Sequence, residues 1–157
     1  MPESKSSTIQ DPVNAGRILG IDYGLKRVGV AISDPMKIIA QGIDTFPNDS
    51  NLMNRILDLV NRMSVIKIVI GNPLKLNGQE GDSALQASKF AETLRGKISK
   101  SCGKKVEIVR WDERFTTVIA QRTQIELGVK KKERQKKSNL DRMSSQLILQ
   151  SYLDSHT

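Results

Sequence analysis

The stretch ILGIDYGLKRVGVAISD, from Ile18 to Asp34, decides the predicted fold. An apolar run leads to Asp22 and a turn at Gly24, and a second apolar run follows. Two β-prone runs joined by a short polar link containing glycine predict a β-hairpin. Asp22 is unusual because it ends a strand whose other residues are apolar, and a buried carboxylate needs a partner. We expect that partner to be either a bound cation or the backbone of the turn, which Asp side chains often cap.

The composition predicts one globular domain. The chain has 157 residues, of which 38% are hydrophobic and 27% charged, and this suits a single core. No apolar run approaches the ~20 residues of a membrane span, so we expect no membrane partner. Residues 1–16 are polar and lack a signal-peptide pattern, so we expect a flexible lead-in to a domain at 17–157.

The scarcity of histidine and cysteine limits the chemistry. The chain contains one cysteine, Cys102, and one histidine, His156. This disfavours a tetrahedral zinc site, an internal disulfide and Ser–His–Asp catalysis, and it fits a reducing cytoplasm. Any catalysis must therefore use carboxylates, amides, hydroxyls or basic groups.

The net charge indicates a polyanionic partner. A formal charge of +8 and a pI near 9.7 favour nucleic acid, because neutralising phosphates releases counterions. Aromatic residues make up only 4% of the chain, which argues against an extended platform for stacking bases. The alternative is a basic surface that binds nothing.

The rest of the chain alternates between two periodicities. After the hairpin, the pattern predicts a third strand at 37–46, helices at 52–63 and 84–98, strands at 65–70 and 106–111, and helices at 116–127 and 140–153. Thr116 and Thr117 are candidate caps for the first of the last two helices. Three successive strands followed by alternating helices and strands predict an α/β domain with a mixed five-stranded sheet flanked by helices.

Several strand ends carry residues suited to chemistry, and α/β sheets bind ligands beyond strand ends. These are Asp22, the loop that contains Gly71, Pro73, Lys75, Gly78 and Gly81, and the run Asp112-Glu113-Arg114. The loop glycines and Lys75 offer donors for phosphate, although the loop lacks the Gly-Lys-Ser/Thr ending of a Walker motif.

The last helix supplies a further acid. Asp141 is predicted in its first turn, with Ser145 four residues later on the same face. Ser144 and Ser145 are small enough to let that face approach the sheet, so we expect Asp141 to face Asp22 without a bulky side chain between them.

Clustered carboxylates repel one another unless cations hold them. Oxygen ligands without His or Cys select Mg²⁺ or Mn²⁺, and two such ions can support phosphodiester hydrolysis. Asp22, Glu113 and Asp141 supply this ligand type. The alternatives are that Asp141 only interacts with the helix dipole and that Glu113 only pairs with Arg114.

The densest basic run lies just before the last helix and comprises Lys130, Lys131, Lys132, Arg134, Lys136 and Lys137. It is either a solvated loop or a clamp that holds a nucleic-acid backbone against the site.

Four blocks together resemble the YqgF family. They are Ile18–Asp34, the GNPxxxxGxxG loop at Gly71–Gly81, DERFTT at Asp112–Thr117, and LDRMSSQLILQSYLD at Leu140–Asp154. Members of this family are described as pre-16S rRNA nucleases and, earlier, as Holliday junction resolvases. One departure is Ser144-Ser145, where alanines are commoner in the family.

The resemblance implies a ribonuclease H-like fold, related to RuvC-type resolvases, and a cytoplasmic role in maturing the 5′ end of 16S rRNA. It also implies Mg²⁺ or Mn²⁺ as cofactor, with the acidic positions at Asp22, Glu113 (Asp112 beside it) and Asp141. Lys75, Arg114 and the basic run would hold phosphates.

Three alternatives stay open from the sequence. The first is resolution of four-way DNA junctions, which requires paired cuts and so favours a homodimer. The second is a non-catalytic RNA-binding factor in ribosome assembly. The third is phosphotransfer, since Gly20–Gly24 resembles the phosphate loop of actin-like ATPases, although those enzymes close two such domains around a nucleotide.

Overall fold

The computed structural model describes residues 16–72, 81–101, 105–112 and 137–156. Within these ranges the elements follow in the order β1 (Arg17–Tyr23), β2 (Arg27–Ser33), β3 (Ala40–Pro47), α1 (Leu52–Arg62), β4 (Val65–Asn72), α2 (Asp82–Ser101), β5 (Glu107–Asp112) and α3 (Lys137–Ser155). The predicted α/β architecture is confirmed. The predicted helix at 116–127 and residues 1–15 of the lead-in lie outside the described residues.

The five strands form one mixed sheet in the order β3-β2-β1-β4-β5. The β1–β2 and β2–β3 pairs are antiparallel, whereas β4 pairs in parallel with both β1 and β5. Because β1, β4 and β5 run in the same direction, their carboxyl ends meet at one edge of the sheet. Asp22, Asn72 and Asp112 lie along that edge, with Asn72 directly opposite Asp112.

Alternating side chains give the sheet two different buried faces. In β1, Leu19 and Ile21 pack with α1 and α2 in one apolar cluster. Ile18 packs on the other face with Ile148 and Leu149 of α3. These side chains are at most 5% exposed, and burying each one stabilises the fold by about 1.5–3 kcal/mol.

Helix α3 lies very close to β1 at Gly20. A Cβ at Gly20 would lie 2.7 Å from the Cβ of Leu149 and 3.2 Å from the carbonyl oxygen of Ser145. Ser144 and Ser145 are both buried, which confirms that small residues on this helix let it approach the sheet. The close contact therefore depends on a glycine in the strand and small residues on the helix.

Strand β3 begins at Ala40, so the prediction that it includes Lys37–Ile39 is wrong. Asp34 explains the difference, because its Oδ1 accepts hydrogen bonds from the backbone N–H groups of Ile38 (2.7 Å) and Ile39 (2.9 Å). These bonds close a turn in which Lys37 has a φ of 62°. The Ile39 N–H in particular holds the pKa of Asp34 below its usual value.

Strand β3 is the outermost strand at one end of the described sheet, and α3 supplies acceptors to it. Gln146 Oε1 accepts from the N–H of Gly42 at 3.0 Å, and Gln150 Oε1 accepts from the N–H of Ala40 at 2.8 Å. The register shifts by one residue at Ile43, which is a bulge. Gly42, directly before the bulge, is paired with Ala31.

Lys67 is the one basic residue in β4, and its contacts explain how an otherwise apolar strand tolerates it. Its Nζ donates to the Tyr152 hydroxyl at 2.8 Å and lies 3.4 Å from the Glu107 carboxylate. Burial lowers the pKa of Lys67, but the hydrogen bond to Tyr152 and the nearby Glu107 carboxylate outweigh it. The pKa therefore lies above its usual value.

We expect Gly20→Ala to lower the free energy of unfolding by about 1–3 kcal/mol, since overpacking forces α3 away from the sheet. The matched control is Gly96→Ala in α2, where an added Cβ meets nothing within 4 Å. That change should stabilise the helix by about 0.5–1 kcal/mol. Urea denaturation followed by circular dichroism measures both. A Gly20→Ala protein as stable as the wild type would contradict the close contact.

Candidate active site

Asp22 lies at the carboxyl end of β1, opposite Gly29 of β2, and is half-buried. Gly20 faces α3, and side chains two residues apart in a strand share a face. Asp22 therefore lies on the α3 face of the sheet. Tyr23, the next residue, lies on the opposite face and packs against the cluster under α1 and α2.

Helix α3 runs antiparallel to β1. Ser145 and Leu149 lie over Gly20, while Leu153 packs in the cluster that contains Ile18. Towards its N-terminus, the helix therefore advances in the direction of Asp22 while it crosses from β1 towards β3, where Arg142 lies against Gly42.

Asp141 lies one turn before Ser145, about 6 Å along the helix at 1.5 Å per residue. The step from Gly20 to Asp22 along β1 is about 6.6 Å. The two residues therefore lie at similar distances from the contact, Asp22 along β1 and Asp141 along a helix that crosses towards β3. The helix begins at Lys137 and has no acid in its first turn, so the prediction that Asp141 lies in the first turn is wrong. The helix dipole acts mainly within the first turn, which weakens the dipole alternative. The side chain of Asp141 lies outside the described part of the chain.

The third predicted acidic region is described only up to Asp112. Asp112 is exposed at the end of β5. Val109 and Trp111 pack against the α3 cluster, so alternation puts Asp112 on the other face of the sheet from Asp22. Glu113, which follows Asp112 directly in the sequence, lies outside the described residues.

A polar contact that the sequence did not predict, made by Arg110, lies at the edge of the sheet where the parallel strands end. Arg110 of β5 donates to Asn72 Oδ1 at 2.7 Å and to Ser88 Oγ of α2 at 2.6 Å. A guanidinium group cannot accept a hydrogen bond, so the contact fixes which end of the Asn72 amide is the acceptor. The sequence features that could have predicted this contact are an arginine within the β-prone run of β5 and an asparagine at the end of the neighbouring parallel strand, β4.

Three of the predicted supporting glycines, Gly24, Gly71 and Gly81, lie in the described residues, and a tight backbone position is seen at Gly24. A Cβ at Gly24 would lie 2.5 Å from the carbonyl oxygen of Arg27, so only glycine fits this hairpin turn. Gly71 lies opposite Trp111 in the sheet, and the carbonyl of Gly81 accepts from the N–H of Leu85 at the start of α2.

The other predicted supporting and phosphate-binding residues lie outside the described residues. They are Pro73, Lys75, Gly78, Arg114, Thr116, Thr117, Lys130, Lys131, Lys132 and Arg134.

The described carboxylates do not make a metal site by themselves. Among the residues that the structure describes, no three His, Cys, Asp or Glu side chains lie close enough to hold a metal ion. That set includes neither Glu113 nor the side chain of Asp141. Asp22 offers carboxylate oxygens at a strand end, a donor type that fits Mg²⁺ or Mn²⁺.

None of the helices in the described ranges combines the length and the apolar character needed to cross a membrane.

The topology matches that of solved junction resolvases. Thermus thermophilus RuvC, solved in complex with a Holliday junction substrate, superposes with a TM-score of 0.56 and 12% sequence identity, covering 90% of this chain and 95% of that one. At this identity the likeness concerns the fold alone. The protein therefore has the ribonuclease H-like fold that the resemblance implied.

Sequence comparison identifies the family. The chain belongs to the family described as RuvX: Holliday junction resolvase, whose model matches residues 16–155. This is the YqgF family that the four sequence blocks indicated.

Two relatives are named, provisionally, as pre-16S rRNA nucleases. The one from Ruminiclostridium cellulolyticum is 46% identical over 141 residues, covering 88% of this chain and 94% of the relative. The one from Sulfurihydrogenibium sp. is 41% identical over 138 residues, covering 88% and 90%.

We expect Arg110 and Asn72 to be energetically coupled. Arg110→Met should lower the free energy of unfolding by about 1.5–3 kcal/mol, because it removes a charged donor that binds two partly buried acceptors, Asn72 Oδ1 and Ser88 Oγ. Combined with Asn72→Ala in a double-mutant cycle, the coupling should be at least about 0.5 kcal/mol. Urea denaturation of the four proteins gives the value.

The control for Arg110→Met is Arg95→Met, which removes an exposed ion pair with Glu92 on α2 and should change stability by less than about 0.5 kcal/mol. If the changes in the free energy of unfolding caused by Arg110→Met and Asn72→Ala add within about 0.3 kcal/mol, the hydrogen bond between the two residues does not stabilise this edge of the sheet.

Proposed function

We propose that this protein is a metal-dependent endonuclease of structured RNA, and that its substrate is the 5′ end of pre-16S rRNA. The observation that carries the proposal is the antiparallel packing of α3 on β1 across Gly20. Asp22 lies two residues beyond that contact along the strand, and Asp141 lies one turn beyond it along the helix. Two acids from distant parts of the chain thus follow the contact in the same direction.

The acidic residues have distinct roles in this proposal. Asp22 is the central ligand in this proposal, since it lies next to the end of a strand that is paired on both sides. Asp141 would complete the site from α3, and Glu113 would complete it from the position that follows Asp112 in the sequence. These carboxylates would hold Mg²⁺ or Mn²⁺, which would supply Lewis-acid chemistry for phosphodiester hydrolysis.

The charge of the chain supports a nucleic-acid substrate. The formal charge is +8, and the relatives named as nucleases cover most of the chain. Lys75, Arg114 and the basic run from Lys130 to Arg134 are proposed to hold the phosphate backbone, which positions the strand without reading its sequence. The proposal places the protein in the cytoplasm, where a single cysteine fits reducing conditions.

A second candidate function is the resolution of four-way DNA junctions. It is favoured by the description of the family model and by a structural neighbour solved with a Holliday junction substrate. Paired cuts would require a homodimer. A protein that stays monomeric at assay concentrations and leaves junctions uncut would count against this alternative.

We expect Asp22→Asn to reduce cleavage by at least about 100-fold, since loss of a group that only supports a metal ligand already costs 10–100-fold. The substitution keeps the size of the side chain, so the melting temperature should change little. The matched control is Asp58→Asn, which neutralises an exposed acid paired with Arg62 on α1 and should cleave normally.

Both variants and the wild type are assayed in parallel on a 16S rRNA precursor and on a DNA junction, with Mg²⁺ and with Mn²⁺. Wild-type rates in the Asp22→Asn protein would refute the proposal. Cutting of the junction alone would favour the resolvase. Calorimetry that detects RNA binding but no Mn²⁺ binding would instead indicate a non-catalytic assembly factor.

A further inference from the structure

An open groove lies on the face of the sheet away from Asp22, between the start of α1 and the middle of α2. Its volume is about 260 Å³, and its principal lining residues are Tyr23, Asn48, Met53, Gln86, Lys89 and Thr93. Pockets for drug-sized ligands measure about 300–1,000 Å³. A groove of this size suits a single planar ring system.

The groove lies beside the candidate active site. Tyr23, which forms one wall, directly follows Asp22, so their Cα atoms are about 3.8 Å apart. Their side chains lie on opposite faces of the sheet, at the edge where the parallel strands end. A chain that passes over this edge at Asp22 can therefore place a flanking unit in the groove.

The lining suits a nucleobase better than a phosphate. Tyr23 stacks on Phe90 with ring centroids 4.6 Å apart, which gives the wall a rigid aromatic base. Asn48 Nδ2 donates to the carbonyl of Gly24 at 2.8 Å, which fixes its Oδ1 as the acceptor end. Amide groups in a fixed orientation beside an aromatic wall are what the edge of an unpaired base requires.

The charges in the lining set the orientation of the occupant. Lys89 lies on the exposed side of α2, and among the residues that the structure describes it is the one basic residue lining the groove. The lining also includes Asp49, which precedes α1 and whose Oδ1 accepts from the N–H of Asn51 and from Arg55, each at 2.9 Å. A phosphate is thus favoured near Lys89 and disfavoured near Asp49.

We propose that this groove binds one unpaired nucleobase of the RNA strand held at Asp22, with the adjoining phosphate beside Lys89. The inference rests on the proposed nuclease function and adds a subsite that selects unpaired RNA next to the cleavage site. One groove for one base is compatible with the low aromatic content of the chain, since no extended stacking platform is needed.

The test uses methyl NMR of the full chain labelled at its methionine methyl groups, without divalent ions. Adenosine 5′-monophosphate should shift the Met53 methyl signal saturably, and inorganic phosphate should not. Met36, which is 76% exposed in the β2–β3 loop, is the internal reference and should stay unchanged. Met53→Leu assigns the signal.

Lys89→Gln should weaken binding of adenosine 5′-monophosphate about two- to fivefold, the effect of one exposed ion pair. Lys97→Gln is the matched control, because Lys97 is exposed on the same helix and does not line the groove. A silent Met53 signal, equal responses to nucleotide and phosphate, or equal effects of the two variants would each overturn the inference.

The two proposals fail separately. A protein that cleaves RNA while the Met53 signal is silent keeps its nuclease function and loses this subsite. A protein that leaves RNA uncut while Met53 responds to the nucleotide loses the nuclease function and keeps the nucleotide site.

Discussion

Helix α3 approaches β1 so closely at Gly20 that one added Cβ would lie 2.7 Å from the Cβ of Leu149. This contact fixes the distance of the helix from the strand that carries Asp22. Interiors are packed to crystal-like density, so a helix cannot shift without opening voids or clashes. Gln146 and Gln150 add a second constraint by accepting hydrogen bonds from β3. The helix is thus held across three adjacent strands, and the position of Asp141 relative to Asp22 depends on that support.

The carboxyl edge of the sheet presents different chemistry on its two faces. Asp22 lies on the α3 face, whereas Tyr23 and Asn72 lie on the face covered by α1 and α2. Arg110 links Asn72 to Ser88 and so connects the edge of the sheet to α2. Because strand side chains alternate, neighbouring residues can serve separate sites on opposite faces. In the proposed mechanism, phosphodiester chemistry belongs to one face and recognition of an unpaired base to the other.

The boundaries of strands and helices differ from the sequence prediction where polar groups determine them. The run Ile38-Ile39-Ala40 is β-prone, yet only Ala40 enters β3, because Asp34 captures the two preceding N–H groups in a turn. Similarly, the apolar period of α3 becomes visible at Leu140, but the helix begins at Lys137 within the basic run. Side-chain capture of backbone groups and polar first turns leave little trace in hydrophobic periodicity.

The sequence by itself determined the five strands, the three helices of the described ranges, the family and the position of Asp22 near a strand end. These depend on local periodicity and on motifs of adjacent residues. Only the tertiary structure decided the strand order, the contact of Gly20 with Leu149, the bond between Arg110 and Asn72, and the groove beside Tyr23. Such contacts join residues far apart in the chain, for example 129 positions between Gly20 and Leu149. They follow from how the elements cross and pack, which no local pattern encodes.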